Sequence, residues 1–335
     1  MSLCDLFSSP KRKPYVAVVG DVILDVYRHC TAKCLSPEDE LTPVVTELKQ
    51  EFKAGGASNV ALNLQSLGAK VDLYGAVGDD HDGKVLQALL SRVDLGDRLF
   101  IDTDRKTTRK ERIVLPRNRH SVRIDNEDKH AVDISFAATL LDLIEEQRAY
   151  DLVVVSDYAK GVITEPFMWE LEAMKVPYVV DPKGTDFLKY GAAVCIKPNL
   201  HELQQVIRRH TNDVFGDEED PLDLLAHICP MKAKSLLVTR GPDGAVLFDA
   251  PDPDSDESQF NILEIEAQRR VFGDPSGCGD SALAALAYGL GCKWSLDDAS
   301  KLAVAAGSCA FDHVGVHVVT RDELKKELQN GQPKA

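Results

Sequence analysis

Five short apolar runs recur along this chain, and each ends in a cluster of Gly, Asp, Pro or Asn. They are YVAVVGD (15–21), VDLYGAVGDD (71–80), DLVVVSDYAKG (151–161), VPYVVDPKG (176–184) and AAVCIKPN (192–199). The runs are continuous and rich in β-branched residues rather than alternating, as strands buried on both faces of a parallel sheet must be. Helix-compatible segments such as ASNVALNLQSLG (57–68) and KVLQALLSRV (84–93) lie between them. That alternation predicts βαβ units and an α/β fold. Ligands of such sheets bind beyond the C-terminal ends of the strands, where the polar clusters fall.

Two segments, approximately 26–52 and 99–123, break the pattern with alternating stretches (TPVVTELKQEF, TTRKERIVL, HSVRID). They predict antiparallel strands with one solvated face, forming a small inserted sheet beside the main one. KSLLVTRGPDGAVLF (234–248) reads as a hairpin on a Pro-Asp-Gly turn. DAPDPDSDESQ (249–259) reads as a polar acidic loop and NGQPKA (330–335) as a frayed tail. No internal repeat is present. A chain of 335 residues is within reach of one large α/β unit with an appendage, and the expectation is a single domain over 1–335.

Charge excludes some partners. With 39 Lys+Arg against 54 Asp+Glu, the net charge of −15 repels nucleic acid and anionic lipid unless basic residues are concentrated. The one basic cluster, 104–123, lacks interleaved aromatics, so neither nucleic acid nor a membrane is expected as a partner. Eight cysteines are scattered without a CxxC pair, and metal-ligand spacing is absent. With no leader pattern and no apolar run long enough to span a bilayer, the expected location is the reducing cytoplasm.

Four stretches can carry chemistry. In DPSGCGDSALAALAYGLG (274–291), Gly277 and Gly279 let backbone approach a ligand, and a helix begins at once. Free N–H groups and the positive dipole end then face the preceding loop, which is an anion site. The stretch is not a Walker A loop. Asp280 stands where it can take a proton from an alcohol while the anion site stabilises a phosphoryl group; a plain Gly-rich turn capped by Asp280 accounts for it equally well. Cys278 is either a thiolate lowered by the helix start or a small side chain lending its N–H.

In KPNLHELQQ (197–205), Asn199 and Glu202 sit three apart at a helix start. They suit a hydrated magnesium ion and equally a capping box. VTRGPDGA (238–245) places Thr239, Gly241 and Gly244 after a strand. In GDVILD and AGGASNVALNL, Asp21, Asp25 and Asn59 can fix sugar hydroxyls while Gly55 and Gly56 admit a ring. Solvated loop acids and a helix cap at Ser58 or Asn59 explain the same residues.

Taken in order, G-D-x-x-x-D, G-G-x-x-x-N, D-P-K-G, P-N-x-x-E, T-x-G-x-x-G and G-x-G-D resemble the ribokinase, or PfkB-type, carbohydrate kinase family over roughly 14–328. SPE (36–38), TTRKERIV, RID (123–125), SDYAKGVIT (156–164) and DPKGTDF with Lys189-Tyr190 further resemble the branch that phosphorylates the anomeric hydroxyl of D-glycero-D-manno-heptose 7-phosphate, a precursor of lipopolysaccharide. The resemblance implies a mostly parallel ribokinase-like sheet flanked by helices, with the inserted sheet as a lid that pairs two subunits. It implies Asp280 as general base and the amides of Gly277, Cys278 and Gly279 as anion hole. Asp21, Asp25, Gly55, Gly56, Asn59, Arg109 and Lys183 would hold the sugar, and Lys197, Asn199, Thr239, Gly241 and Gly244 the nucleotide. Asn199 and Glu202 would organise magnesium through water. ATP and Mg2+ are the implied cofactors, with a monovalent cation a further one that the family admits. A 7-phosphate would draw on Arg109, Lys110, Arg112, Arg123 and Lys160.

Departures also stand out. Cys34-Leu35 replaces the branch's Arg-Ile before Ser-Pro-Glu, and DELTPVV (39–45) replaces its A-P-V-P-V, which bears on the acceptor. Many relatives continue into a nucleotidyltransferase half bearing H-x-G-H. None is expected here, and HVGVH (313–317) does not supply that motif, because Val316 holds the place of its second histidine.

Overall fold

The computed structural model describes residues 2–39, 41–93, 95–116, 119–147, 150–211, 232–249, 261–268, 270 and 273–330. The main sheet has nine strands: β1 (Tyr15–Gly20), β4 (Lys70–Gly78), β5 (Gly96–Asp102), β8 (Leu152–Ser156), β9 (Tyr178–Asp181), β10 (Cys195–Ile196), β11 (Ser235–Thr239), β12 (Ala245–Asp249) and β13 (Asn261–Ile265). Their order is β13-β12-β11-β10-β9-β8-β1-β4-β5. Pairs from β5 to β11 are parallel, and β12 and β13 join antiparallel. The expected hairpin is β11–β12, turned by residues 241–243.

Alternate side chains of β1 enter opposite cores, which is why its sequence is apolar without a break. Val16 and Val18 meet α2 (Ala57–Leu67), α7 (Cys278–Gly291) and α8 (Leu296–Phe311) through Leu64, Leu283 and Leu302. Ala17 and Val19 share the other core with α4 (Ile134–Gln147), α5 (Glu165–Ala173) and α6 (Leu200–Thr211) through Leu140, Phe167 and Leu203. Between β4 and β5 runs α3 (His81–Leu90), which adds Leu86 and Leu90 to the first core.

On that same side lie α1 (Leu3–Ser8) and α9 (Arg321–Asn330). Arg321 ties them together. Its guanidinium donates to the carbonyls of Phe7 (2.6 Å) and Leu67 and to the Tyr288 hydroxyl (3.0 Å), and it lies 4.5 Å from the Phe7 ring.

The second sheet has four strands, β2 (Val22–Leu35), β3 (Pro43–Gly56), β6 (Arg109–Leu115) and β7 (Arg119–Asn126), ordered β3-β2-β6-β7. Two expectations are corrected here. Residues 99–102 belong to β5 and pair in parallel with β4, from Asp72↔Gly96 through Gly78↔Asp102. The central pair β2–β6 is parallel rather than antiparallel, because the chain crosses through α2, β4, α3 and β5 before it returns. The run at 192–199 keeps only Cys195–Ile196 as strand. The acidic loop, beyond Asp249 at the end of β12, and the tail at 331–335 lie outside the described residues.

Candidate active site

Helix α7 opens on Gly277, whose φ of +80° a side chain rarely adopts. A Cβ there would stand 3.0 Å from Asn59 Nδ2 and 3.2 Å from Val316, so the turn needs glycine twice over. Three residues on, Asp280 is 2 % exposed. Its two oxygens accept from Asn59 Nδ2 at 2.8 Å and from the Tyr158 hydroxyl at 2.7 Å. Burial raises its pKa to about 6, and those two hydrogen bonds hold back a larger rise. Burial and Asp280 in turn push the Tyr158 hydroxyl well above its usual range, so it stays a donor.

The amides of Gly277 and Gly279 have no backbone acceptor among the described residues, whereas that of Cys278 donates to Pro275 O at 3.3 Å. Two of the three expected anion-hole donors are therefore open, and the third must lengthen a bond it already makes. The thiolate alternative for Cys278 is corrected. Burial, reinforced by Asp274 and Asp280, pushes its thiol up to about 12, the opposite direction from that expected of a helix start.

Beneath Gly279 lies a buried ion pair, Lys197 Nζ to Asp181 Oδ2 at 3.0 Å. A Cβ on Gly279 would be 3.6 Å from that ammonium and 3.8 Å from that carboxylate. Burial raises the Asp181 carboxyl and Lys197 pulls it back down; burial lowers the Lys197 ammonium, but Asp181 wins and its pKa is raised. Asn199 and Glu202 form the capping box. Glu202 N–H donates to Asn199 Oδ1 at 2.8 Å, and Asn199 N–H to Glu202 Oε2 at 3.0 Å. The other oxygen, Oε1, accepts from Lys183 at 2.6 Å. These hard oxygens fit a magnesium ion that keeps its waters and touches the protein through them.

Thr239, Gly241 and Gly244 line a cavity of ≈ 220 Å³ that reaches Cys278 and Gly279 and has apolar walls at Leu237, Ala282, Val304 and Phe311. Such a slot, opening on a helix N-terminus, fits a flat aromatic base with its phosphates toward the amides.

On the opposite side of Asp280, Asp21 accepts from the amides of Tyr158 (2.8 Å), Lys160 (3.1 Å) and Val162 (3.2 Å). Burial and the nearby Asp157 raise it to about 6 despite these bonds. Asp21 thus fixes the loop after β8. The protein's own packing also requires Gly55 and Gly56. A Cβ on Gly55 would fall on the Asp25 carboxylate, and one on Gly56 on the carbonyl of Asp21. Asp25 is ion-paired with Arg112; burial raises its pKa, and Arg112 leads the opposing pull.

Strand alternation sorts the lid cations. Lys110 reaches the Tyr158 ring at 4.7 Å, and Arg112 reaches Asp25. Arg109 is not brought to this group: it points to the other face of β6 and pairs with Asp82 (3.5 Å) and Glu111. Lys160 pairs with Glu127 at 2.6 Å, and Arg123 with Asp125 at 2.9 Å. Sequence reasoning missed Tyr158, Asp157 and Asp181 as site groups. The signal was present, since each closes or follows a buried strand.

The profile of the pfkB family carbohydrate kinases matches residues 13–321. Two curated proteins named Bifunctional protein HldE, from Hydrogenovibrio crunogenus and Shewanella amazonensis, are each 35% identical to the chain, over 320 and 327 residues. The matches cover 94% and 96% of this chain, which spans 63% and 64% of those proteins. Phosphofructokinase-2 from Escherichia coli, solved with potassium, has a TM-score of 0.74 at 19% identity, with 95% of this chain and 99% of that one covered. Ribokinase from Arabidopsis thaliana, complexed with ribose and ATP, has a TM-score of 0.69 at 18% identity, again with 95% and 99% covered. These two share the fold. With a family profile spanning nearly all of it and relatives above 30% identity, the chain belongs to the pfkB carbohydrate kinase family.

Proposed function

We propose that the chain transfers the γ-phosphoryl group of ATP to a sugar-phosphate hydroxyl, with the anomeric hydroxyl of D-glycero-D-manno-heptose 7-phosphate as the acceptor of first choice. One observation carries the reading: a buried carboxylate with a pKa of about 6 sits at a helix start beside two open amides. Asp280 takes the proton from the acceptor hydroxyl as the new P–O bond forms. Asn59 and Tyr158 orient it, and their hydrogen bonds keep it charged at neutral pH.

The amides of Gly277 and Gly279 and the start of α7 stabilise charge on the transferring group. Lys197, held by Asp181 under the same turn, adds positive charge there. Bound magnesium, held through water by Glu202 and Asn199, would neutralise phosphate charge. Lys110 and Arg112 on the lid and Lys160 in the loop after β8 are the cations that a phosphate on the acceptor would engage, Arg112 and Lys160 in competition with Asp25 and Glu127. Closure of that lid excludes the water that would otherwise compete as acceptor.

The heptose phosphate assignment rests on the branch motifs and on the HldE relatives. A second reading, a different phosphorylated sugar, is favoured by exposed Cys34 and Leu35 where that branch has Arg-Ile. Exposed Leu35, Leu48, Val122 and Ile124 on the lid support a homodimer formed through it. Seven described cysteines, all free, agree with a reducing cytoplasm. No helix among the described residues is long and apolar enough to cross a membrane.

The test is ADP release over a sugar panel that includes heptose 7-phosphate, with wild type and Asp280→Asn. Turnover of the variant should drop by about 10²–10⁴ with ATP affinity nearly unchanged. Undiminished turnover would remove Asp280 from the mechanism, and activity confined to unphosphorylated sugars would overturn the acceptor.

A further inference from the structure

Away from the phosphoryl site, one cluster of metal-ligating side chains gathers where the loop after α8 meets α9. The rings of His313 and His317 stack with centroids 3.5 Å apart and an interplanar angle of 11°. Nε2 of each lies 3.1 Å from the same oxygen, Oε1 of Glu323. One ligand atom from each residue falls within 4.8 Å of the other two. A tetrahedral zinc ion, with bonds of about 2.0–2.1 Å, spaces its ligands about 3.3 Å apart; the carboxylate stands near that distance from both imidazoles, whose near-parallel rings must turn for their Nε2 lone pairs to converge on one ion.

The rest of Glu323 is fixed. Its Oε2 accepts from the amide and the hydroxyl of Thr320, both at 2.7 Å, which aims Oε1 at the histidines. Ligand carboxylates are commonly held by such outer hydrogen bonds. Side-chain exposures of 40%, 23% and 32% for His313, His317 and Glu323 leave a way in for an ion and room for water as a fourth ligand. Two imidazoles and a carboxylate suit zinc, whereas magnesium takes oxygen.

We propose that His313, His317 and Glu323 form a binding site for a zinc-class divalent ion, separate from the magnesium that accompanies ATP. The position of the site gives the ion leverage. The loop that carries both histidines packs Val316 against the Gly277 turn, and Val316 N–H donates to the Tyr27 hydroxyl of the lid at 3.0 Å. Asn63 Nδ2 donates to His317 O at 3.3 Å and to Asn59 Oδ1 at 3.1 Å, and Asn59 holds Asp280. An ion that clamps His313 and His317 to α9 therefore fixes the loop on which the Asn63–Asn59–Asp280 chain rests. Ion binding itself stands apart from the kinase reading and is measured without turnover.

Cobalt(II) and zinc, added to full-length protein freed of metal by chelator, provide the test. One equivalent of Co2+ should produce the visible absorption of four-coordinate cobalt. Zn2+ should abolish that band and raise the thermal midpoint, and excess Mg2+ should do neither. His313→Ala and His317→Ala should each lose both signals while their metal-free midpoints stay with the wild type. If His317→Ala fails to fold, His313→Ala, the more exposed position, carries the test alone. No cobalt band and no zinc shift in the wild type, or signals that survive in the variants, would overturn the site.

Discussion

At Asp280 two demands oppose each other. Burial favours the neutral acid, while Asn59 and Tyr158 favour the charged base, and the balance leaves a pKa of about 6. The carboxylate is ionised at neutral pH yet close enough to titration to accept a proton readily. For the proposed reaction, kcat/KM should fall as pH drops through about 6. Tyr158→Phe deletes a bond that stabilises the charged form, so the acid limb of the pH–rate profile should move to higher pH. A limb that stays in place would separate Tyr158 from the base. The same balance has a stability side. The folded pKa lies above the ordinary 3.8, so the group's stabilising contribution is complete below the unfolded value and is lost as pH rises through about 6. Across roughly two pH units this amounts to about 1–3 kcal/mol at neutral pH. Asp280→Asn should therefore unfold at higher denaturant concentration than the wild type at neutral pH, with the difference vanishing in acid.

Helix α7 begins on a turn that only glycine fits. Gly277→Ala forces a side chain into positive φ, a cost of about 1–2 kcal/mol, and presses it against Asn59 and Val316. The expected result is a modest fall in the unfolding midpoint and a much larger loss of kcat, because the displaced Asn59 holds Asp280. Equal losses in both would make the turn merely structural. This turn was readable in the sequence because glycine and a following small-residue helix are local signals. The strands β1, β8 and β9 were readable for a similar reason, each being apolar on both faces. Strand β5 was not. It is an edge strand with a short apolar run, Leu99 to Ile101, between charged residues, and only its pairing with β4 assigns it to the main sheet. The parallel pairing of β2 with β6 was hidden too, since the crossover that sets it lies outside both strands. Arg109 and Lys110 differ by one position and so face opposite ways, which no composition of the basic cluster reveals. The pairing of Lys197 with Asp181 joins neighbouring strands through side-chain reach, for which a linear motif has no symbol.

At the scale of the molecule, the lid carries apolar side chains that stand exposed. Val122 and Ile124 stand two apart on one face of β7, an edge strand, each 51% exposed. Edge strands with exposed apolar faces invite a partner. In the proposed dimer a Val122→Glu, Ile124→Glu double variant should sediment as a monomer, with the circular dichroism of the main sheet preserved. A dimer that persists would move the interface off this strand. At the opposite pole, the guanidinium of Arg321 spans 314 residues of chain to reach Phe7. During synthesis α1 leaves the ribosome long before α9 exists. Phe7, fully buried in the finished fold, has no guanidinium over its ring until Arg321 has been translated. Contacts of such separation form late. Until α9 docks, the nascent chain must therefore carry an unsealed apolar seam around Phe7.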